Sequence, residues 1–119
     1  MANEISARVR LTASKNGAIV ACDETITFDM AGNETLDATQ LIGTAAEALT
    51  FGEMANAGTL AVKNLDATNY VELSMASDAT NPFAKLKPGR WCLVPASAAT
   101  YYAKANTAAC RIRKVAVEL

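Results

Sequence analysis

Histidine is missing from this chain of 119 residues, and large aromatic residues are scarce. Histidine is the most common general base and the most common imidazole ligand of metals, so catalytic sites of the Ser-His-Asp and Cys-His types are excluded. One Trp, three Phe and three Tyr are available for a core, and the apolar fraction of 51% is rich in Ala. Because large side chains dominate burial energetics, we expect partner surfaces to supply part of the stability.

Cysteine is also rare, with Cys22, Cys92 and Cys110 far apart along the chain. Three cysteines cannot all pair within one chain, and none has the CxxC spacing of a metal or redox site. Free Cys behaves as a small hydrophobic residue, so we predict buried, reduced thiols. An intermolecular crosslink through one of these cysteines is the alternative.

Signals for secretion, membrane insertion and nucleotide binding are absent. The segment 1–5 lacks the basic and apolar regions of a secretory signal, and no apolar run approaches the 18 residues of a membrane span. The six Gly residues are isolated and form no phosphate-binding pattern. We therefore expect synthesis in the cytoplasm of the producing cell, with no membrane partner, no nucleotide cofactor and no small-molecule substrate.

Carboxylates are the remaining candidates for chemistry. Two pairs stand next to predicted turns: Glu34 with Asp37, and Glu47 with Glu53. Acids beside turns are usually solvated or capping, and we interpret these pairs in that way. Three further acids could offer oxygen ligands to calcium: Asp23, Glu24 and Asp29. No calcium-loop spacing accompanies them, so we assign no metal and no cofactor and predict that the chain is not an enzyme.

Short stretches of alternating apolar and polar residues recur between turn residues, which is typical of half-buried strands. They predict an all-β fold of about nine short strands, with ten candidate segments: residues 5–11, 18–22, 25–30, 36–43, 59–64, 70–75, 83–86, 90–94, 101–104 and 109–119. Residues 44–49 are predicted to be extended and to lead into a loop. Turn signals at this spacing favour one antiparallel β-sandwich domain over residues 1–119, similar to a jelly roll.

The alternation also predicts which side chains face inward. Val9 and Leu11 share one face of the first strand, Ile26, Phe28 and Met30 point inward in the third, and Leu60 and Val62 do so later in the chain. The first turn is predicted at 15–17, which reads Lys-Asn-Gly. The strongest turn signal in the chain is 87–89, which reads Lys-Pro-Gly, because Pro presets φ and Gly accepts a positive φ.

Charge is divided unevenly along the chain. Residues 1–84 carry four basic and eleven acidic side chains, a net charge of −7, whereas residues 85–119 carry seven basic and one acidic side chain, a net charge of +6. Such asymmetry can guide packing between copies or onto a larger partner. The alternative is that the two signs interleave once the chain is folded.

Two basic residues and three aromatic residues are candidates for binding. Arg111 and Arg113 share one face of a predicted strand while Lys114 lies on the other, and we interpret the two arginines as a solvated edge, with no nucleic-acid partner. Trp91 is predicted to anchor the core; the alternative is a sugar-stacking platform formed with Tyr101 and Tyr102.

The order of four segments resembles small β-rich virion proteins of tailed bacteriophages. These segments are 42–49 (IGTAAEAL), 62–71 (VKNLDATNYV), 86–90 (LKPGR) and 102–105 (YAKA). The resemblance implies a non-enzymatic structural protein of the particle, with no catalytic residues. Among such proteins we favour a capsid decoration, or cement, protein that stabilises the head shell at the capsid surface.

The partners implied are the major capsid protein, whose subunits the chain bridges, and copies of the chain itself in a homo-oligomer. The residues proposed for assembly contacts or crosslinks are Cys22, Cys92, Cys110, Arg111 and Arg113. The alternative implied by the resemblance is a structural protein of the tail, baseplate or fibre, including a carbohydrate-binding module.

Overall fold

The computed structural model describes residues 4–29, 34–52, 54, 57–95 and 100–118. Ten strands occur in this part of the chain: β1 (Ile5–Lys15), β2 (Ala18–Phe28), β3 (Thr35–Ile42), β4 (Glu47–Ala48), β5 (Ala57–Asn64), β6 (Val71–Ser74), β7 (Ala84–Leu86), β8 (Trp91–Pro95), β9 (Tyr102–Ala105) and β10 (Cys110–Glu118). The predicted all-β class is confirmed. No helix in the described ranges is long and apolar enough to cross a membrane.

The chain divides into two compact units, Met1–Ala31 and Gly32–Leu119. In the first unit β1 and β2 form a two-stranded antiparallel sheet, which we call the ribbon. Asn16 and Gly17 join the strands with positive φ values of 53° and 83°, the conformation that favours Asn-Gly in two-residue hairpins. The single domain predicted over residues 1–119 stays a prediction, and the units are described separately.

The ribbon corrects two predictions. Residues 18–22 and 25–30 were expected to form separate strands, but residues 18–28 are continuous because Asp23 and Glu24 pair with Arg10 and Val9 of β1. Met30 lies outside the described residues. The inward orientation predicted for Ile26 is wrong, since its side chain is exposed. A two-stranded sheet has no second layer of its own to cover an apolar face.

The second unit contains two four-stranded antiparallel sheets. The first sheet has the order β3-β10-β5-β8, and the second has the order β4-β9-β6-β7. Strands that follow one another in the chain mostly lie in different sheets; within the second unit, β6 and β7 form the one pair of consecutive neighbours.

One core lies between these sheets, as in a β-sandwich. Its buried side chains come from both: Ile42, Leu60, Val62, Ile112 and Ala116 from the first sheet, and Val71, Leu73, Leu86, Ala103 and Ala105 from the second. The inward orientation predicted for Leu60 and Val62 is confirmed. Every second residue of β10 is buried up to Ala116, as expected for a strand with one covered face.

The turn at 87–89 forms as predicted. The Arg90 N–H donates to the Lys87 carbonyl at 3.0 Å, and Gly89 has a φ of 78°. Pro88 and Gly89 therefore occupy the two central positions of a type II turn, where Pro and Gly are preferred. Within the segment 44–49, which was predicted to be extended, Glu47 and Ala48 form β4, whereas residues 44 and 45 form a bend.

Candidate interaction surface

The outward side chains of the first sheet form a continuous surface, which we call the Trp91 face. The registers align these side chains in rows across the strands: Leu41, Arg111 and Leu65; Thr39, Arg113, Lys63 and Trp91; Asp37, Val115, Ala61 and Leu93; Thr35, Val117, Thr59 and Pro95. The arginines proposed as site residues therefore belong to one surface. Lys114 lies on the opposite side of β10, as the alternation predicted.

Large apolar side chains are exposed on this face. Leu41, Leu65, Trp91 and Leu93 have between 42% and 52% of their surface accessible. Apolar side chains next to Arg and Trp are the combination enriched at the centre of protein interfaces. The Trp91 face therefore contains residue types that are common at protein interfaces.

Trp91 lies outside the core, contrary to the prediction. It begins β8 and pairs with Lys63, whose side chain points outward, so Trp91 points outward as well. The Lys63 ammonium lies 5.5 Å from the ring centroid, and the Arg113 guanidinium lies 5.9 Å from it. These two cations hold the indole ring against the sheet while leaving half of its surface accessible.

Arg113 is fixed by an ion pair on the same face. Its Nε and Nη2 atoms donate to the two carboxylate oxygens of Asp37 at 2.9 and 2.7 Å, and this hydrogen bonding lowers the pKa of Asp37. A bidentate pair restricts the guanidinium to one plane. Arg111, in contrast, is exposed between Leu41 and Leu65.

The sugar-stacking platform that was the alternative for Trp91, Tyr101 and Tyr102 does not form. Tyr101 is buried in the core, where its ring meets Phe83 edge to face at a centroid distance of 6.0 Å. Tyr102 lies on β9 in the second sheet, whereas Trp91 lies on the first. The three aromatic rings therefore do not share a surface.

The three cysteines have different environments. Cys110 is fully buried and Cys92 is half-buried, and burial raises the pKa of both thiols. The Asp66 carboxylate raises the pKa of Cys110 further. Cys22 is exposed on the ribbon, so the prediction of a buried thiol is wrong there. The structure does not bring Cys92 and Cys110 to the Trp91 face.

Opposite charges from the two stretches of the sequence meet in the folded chain. Arg113 pairs with Asp37, and Glu72 of β6 lies between Lys104 of β9 and Lys85 of β7. The signs therefore interleave at these positions, because strands distant in sequence become neighbours in the sheets.

One member of each carboxylate pair considered in the sequence makes a structural contact. Asp37 binds Arg113, and a Glu47 carboxylate oxygen accepts from the Gly43 N–H at 3.1 Å. Glu53 lies outside the described residues. In the described ranges, no group of three or more Cys, Asp and Glu side chains is placed to hold a metal ion.

A buried lysine lies beneath the Trp91 face, and sequence reasoning missed it. Lys114 is 3% exposed; its Nζ donates to Gln40 Oε1 and Thr50 Oγ1, both at 2.6 Å, and to the Thr50 carbonyl. Burial lowers its pKa. The ammonium also lies 5.8 Å from the centre of the Phe51 ring. The signal in the sequence was its place in an alternating strand between Ile112 and Ala116.

A buried asparagine holds the loops at one end of the second unit. The Asn64 Nδ2 atom donates to the carbonyls of Asn69 and Leu86, both at 2.8 Å, and its Oδ1 accepts from the Asp66 N–H at 2.9 Å. The Asp66 carboxylate in turn accepts from the N–H groups of Asn69 and Thr68, which lower its pKa. Segment 62–71, one of those in the resemblance, thus contains the end of β5, a hydrogen-bonded loop over residues 65–70 and the start of β6.

Comparisons of the chain with protein-family models, curated proteins and solved structures gave no match.

Proposed function

We propose that this chain is a non-enzymatic structural protein of a bacteriophage particle, a capsid decoration protein that bridges subunits of the major capsid protein. The observation that carries the proposal is the Trp91 face: a rigid sheet surface on which Trp91, Leu41 and Leu93 are exposed beside fixed charges. The resemblance of four segments to phage virion proteins supplies the biological setting.

The Trp91 face suits attachment to a shell. Its side chains stand on four hydrogen-bonded strands, so little order has to be gained on binding. Trp and Arg are the residues most enriched among those that dominate binding energy. A shell repeats the same contact by symmetry, and repeated weak contacts raise occupancy through effective concentration.

The strand order supports the same proposal. We infer that the second unit is a jelly roll, because its eight strands divide into sheets of order β3-β10-β5-β8 and β4-β9-β6-β7, with consecutive strands crossing between sheets. Jelly rolls occur in viral capsid proteins, lectins and cupins. The fold alone does not select among these functions, so the proposal depends on the surface.

Cryo-electron microscopy of particles of the phage that encodes the chain tests the location. We expect its density on the outside of the head, in contact with more than one capsid subunit. Density on the tail, baseplate or fibre alone would overturn the decoration role and favour the alternative location.

Reconstitution onto purified heads that lack the protein tests the surface. Leu41 and Met75 expose nearly the same fraction, 52% and 53%, but Met75 lies outside the Trp91 face. We expect Leu41→Ala to weaken binding about tenfold, Trp91→Ala about thirtyfold or more, and Met75→Ala to bind like the wild type. Equal binding by all three variants would contradict the use of this face.

A further inference from the structure

The ribbon carries a second apolar surface, separate from the Trp91 face. Its strands pair in register over all eleven residues of each strand, from Ile5 with Phe28 to Lys15 with Ala18. Directly paired residues of an antiparallel sheet share a face, so the ribbon has two distinct faces. It is about 37 Å long at about 3.4 Å per residue.

The two faces differ sharply in composition. One, which we call the apolar face, contains Ile5, Ala7, Val9, Leu11, Ala13, Lys15, Ala18, Val20, Cys22, Glu24, Ile26 and Phe28. Val9, Leu11, Val20 and Ile26 each expose more than half of their surface. The other face is mainly polar and holds the ion pair of Arg8 with Asp23, at 2.8 Å.

An isolated two-stranded sheet is only marginally stable in water, and an exposed apolar face marks an interaction site. The charges on the apolar face indicate what covers it. Lys15 and Glu24 are its two charged residues; Lys15 lies at the turn end, and Glu24 lies six pairs away, about 20 Å, towards the other end. Within one copy this separation exceeds the Debye length of about 8 Å.

We propose that the apolar face packs against the apolar face of a second copy of this chain, with the two ribbons antiparallel about a two-fold axis. With the axis midway between the Leu11–Cys22 and Ala13–Val20 pairs, Glu24 of each copy lies over the Lys15–Ala18 end of the other. Sheets packed face to face lie about 10 Å apart, within reach of a Lys and a Glu side chain. Lys15 of each copy thus lies near Glu24 of the other, which gives two Lys15–Glu24 contacts in the dimer. Leu11 and Val20 lie at its centre.

The size of the contact predicts its strength. A face about 37 Å long and about 10 Å wide buries roughly 400 Å² on each copy, which is small for a specific interface. We expect a reversible dimer with a Kd of about 10 to 100 µM. This interface does not depend on the proposed function, since it forms in solution from the free protein.

Neighbouring residues on opposite faces supply a matched pair of variants. Val20 lies on the apolar face, and Ile19, which pairs with Ser14, lies on the other; both are exposed. In sedimentation equilibrium of the full chain from about 5 µM to about 1 mM, we expect dimers for the wild type and Ile19→Glu, and monomers for Val20→Glu. A monomeric wild type over this range, or equal weakening by both variants, would overturn the proposal.

Charge exchange tests the antiparallel arrangement without changing the apolar side chains. Each dimer contains two Lys15–Glu24 contacts, so we expect K15E alone or E24K alone to raise the Kd about tenfold. Because the charges are far apart within one copy, the double variant K15E/E24K restores the Kd to within about twofold of the wild type. Additive weakening in the double variant, or no effect in any of the three, refutes this pairing of copies.

Discussion

Asn64 provides the sharpest test of how the second unit is held together. Its side chain is fully buried and makes three hydrogen bonds, two as donor to the carbonyls of Asn69 and Leu86 and one as acceptor from the Asp66 N–H. These bonds join the end of β5 to the loop that follows it and to the end of β7. Asn64→Ala removes all three and supplies no replacement.

The expected cost follows from the partners left behind. A buried polar group without a partner costs about 1–3 kcal/mol, and the Leu86 carbonyl bond lies in a buried position while the other two are partly buried. We count the full cost for the Leu86 carbonyl and a smaller cost for the Asn69 carbonyl and the Asp66 N–H. The free energy of unfolding is then expected to fall by about 3 kcal/mol. For a cooperative unit of this size, that corresponds to a fall in Tm of about 15 °C.

Thermal and urea unfolding, followed by circular dichroism at one protein concentration, measures this loss. Asn106→Ala is the matched control, because Asn106 is half-buried and its Oδ1 accepts one bond, from the Tyr70 N–H at 3.1 Å. We expect the control to lose about 1 kcal/mol. The reasoning is refuted if Asn64→Ala destabilises the protein no more than Asn106→Ala does.

Three further predictions concern the buried lysine, the type II turn and the thiols. Burial lowers the pKa of Lys114 in the folded chain, so its contribution to stability is fully present above its unfolded value of 10.5 and is lost as the pH falls through the folded pKa. We therefore expect the stability of the wild type relative to Lys114→Met to rise with pH towards 10.5 in urea unfolding; a constant difference would count against a desolvated ammonium. Gly89→Ala should lower the free energy of unfolding by about 1–2 kcal/mol in the same assay, because Gly89 has a φ of 78°. Gly43→Ala should lower it less, since the added Cβ lies 3.5 Å from Glu47 Oε2, an ordinary contact distance. Cys110 should react with a thiol reagent at the rate of global unfolding and Cys92 faster, as followed by mass spectrometry; equal rates would disagree with their burial.

The sequence alone determined the class of the fold and most of the strand positions. Alternation of apolar and polar residues is a local property, and strands with one covered face obey it, so Leu60 and Val62 were correctly placed inside. Turns are local as well: Asn16, Gly17 and Gly89 adopt positive φ values, which Asn and Gly tolerate, and the ring of Pro88 fixes its own φ near about −65°.

Only the tertiary structure decided which face of each strand is covered. Alternation groups residues into two faces but does not say which face meets a second layer. In β8 the larger apolar residues lie on the uncovered face, and in the ribbon the residues of both faces are mostly exposed. Trp91, expected in the core, is therefore exposed, and Ile26 is too. Lys114 can be buried because the side chains of Gln40 and Thr50, 74 and 64 residues away in the chain, accept hydrogen bonds from its ammonium group. Contacts between residues so distant in sequence leave no local pattern, so the Trp91 face and the apolar face of the ribbon emerged only once the strands were paired.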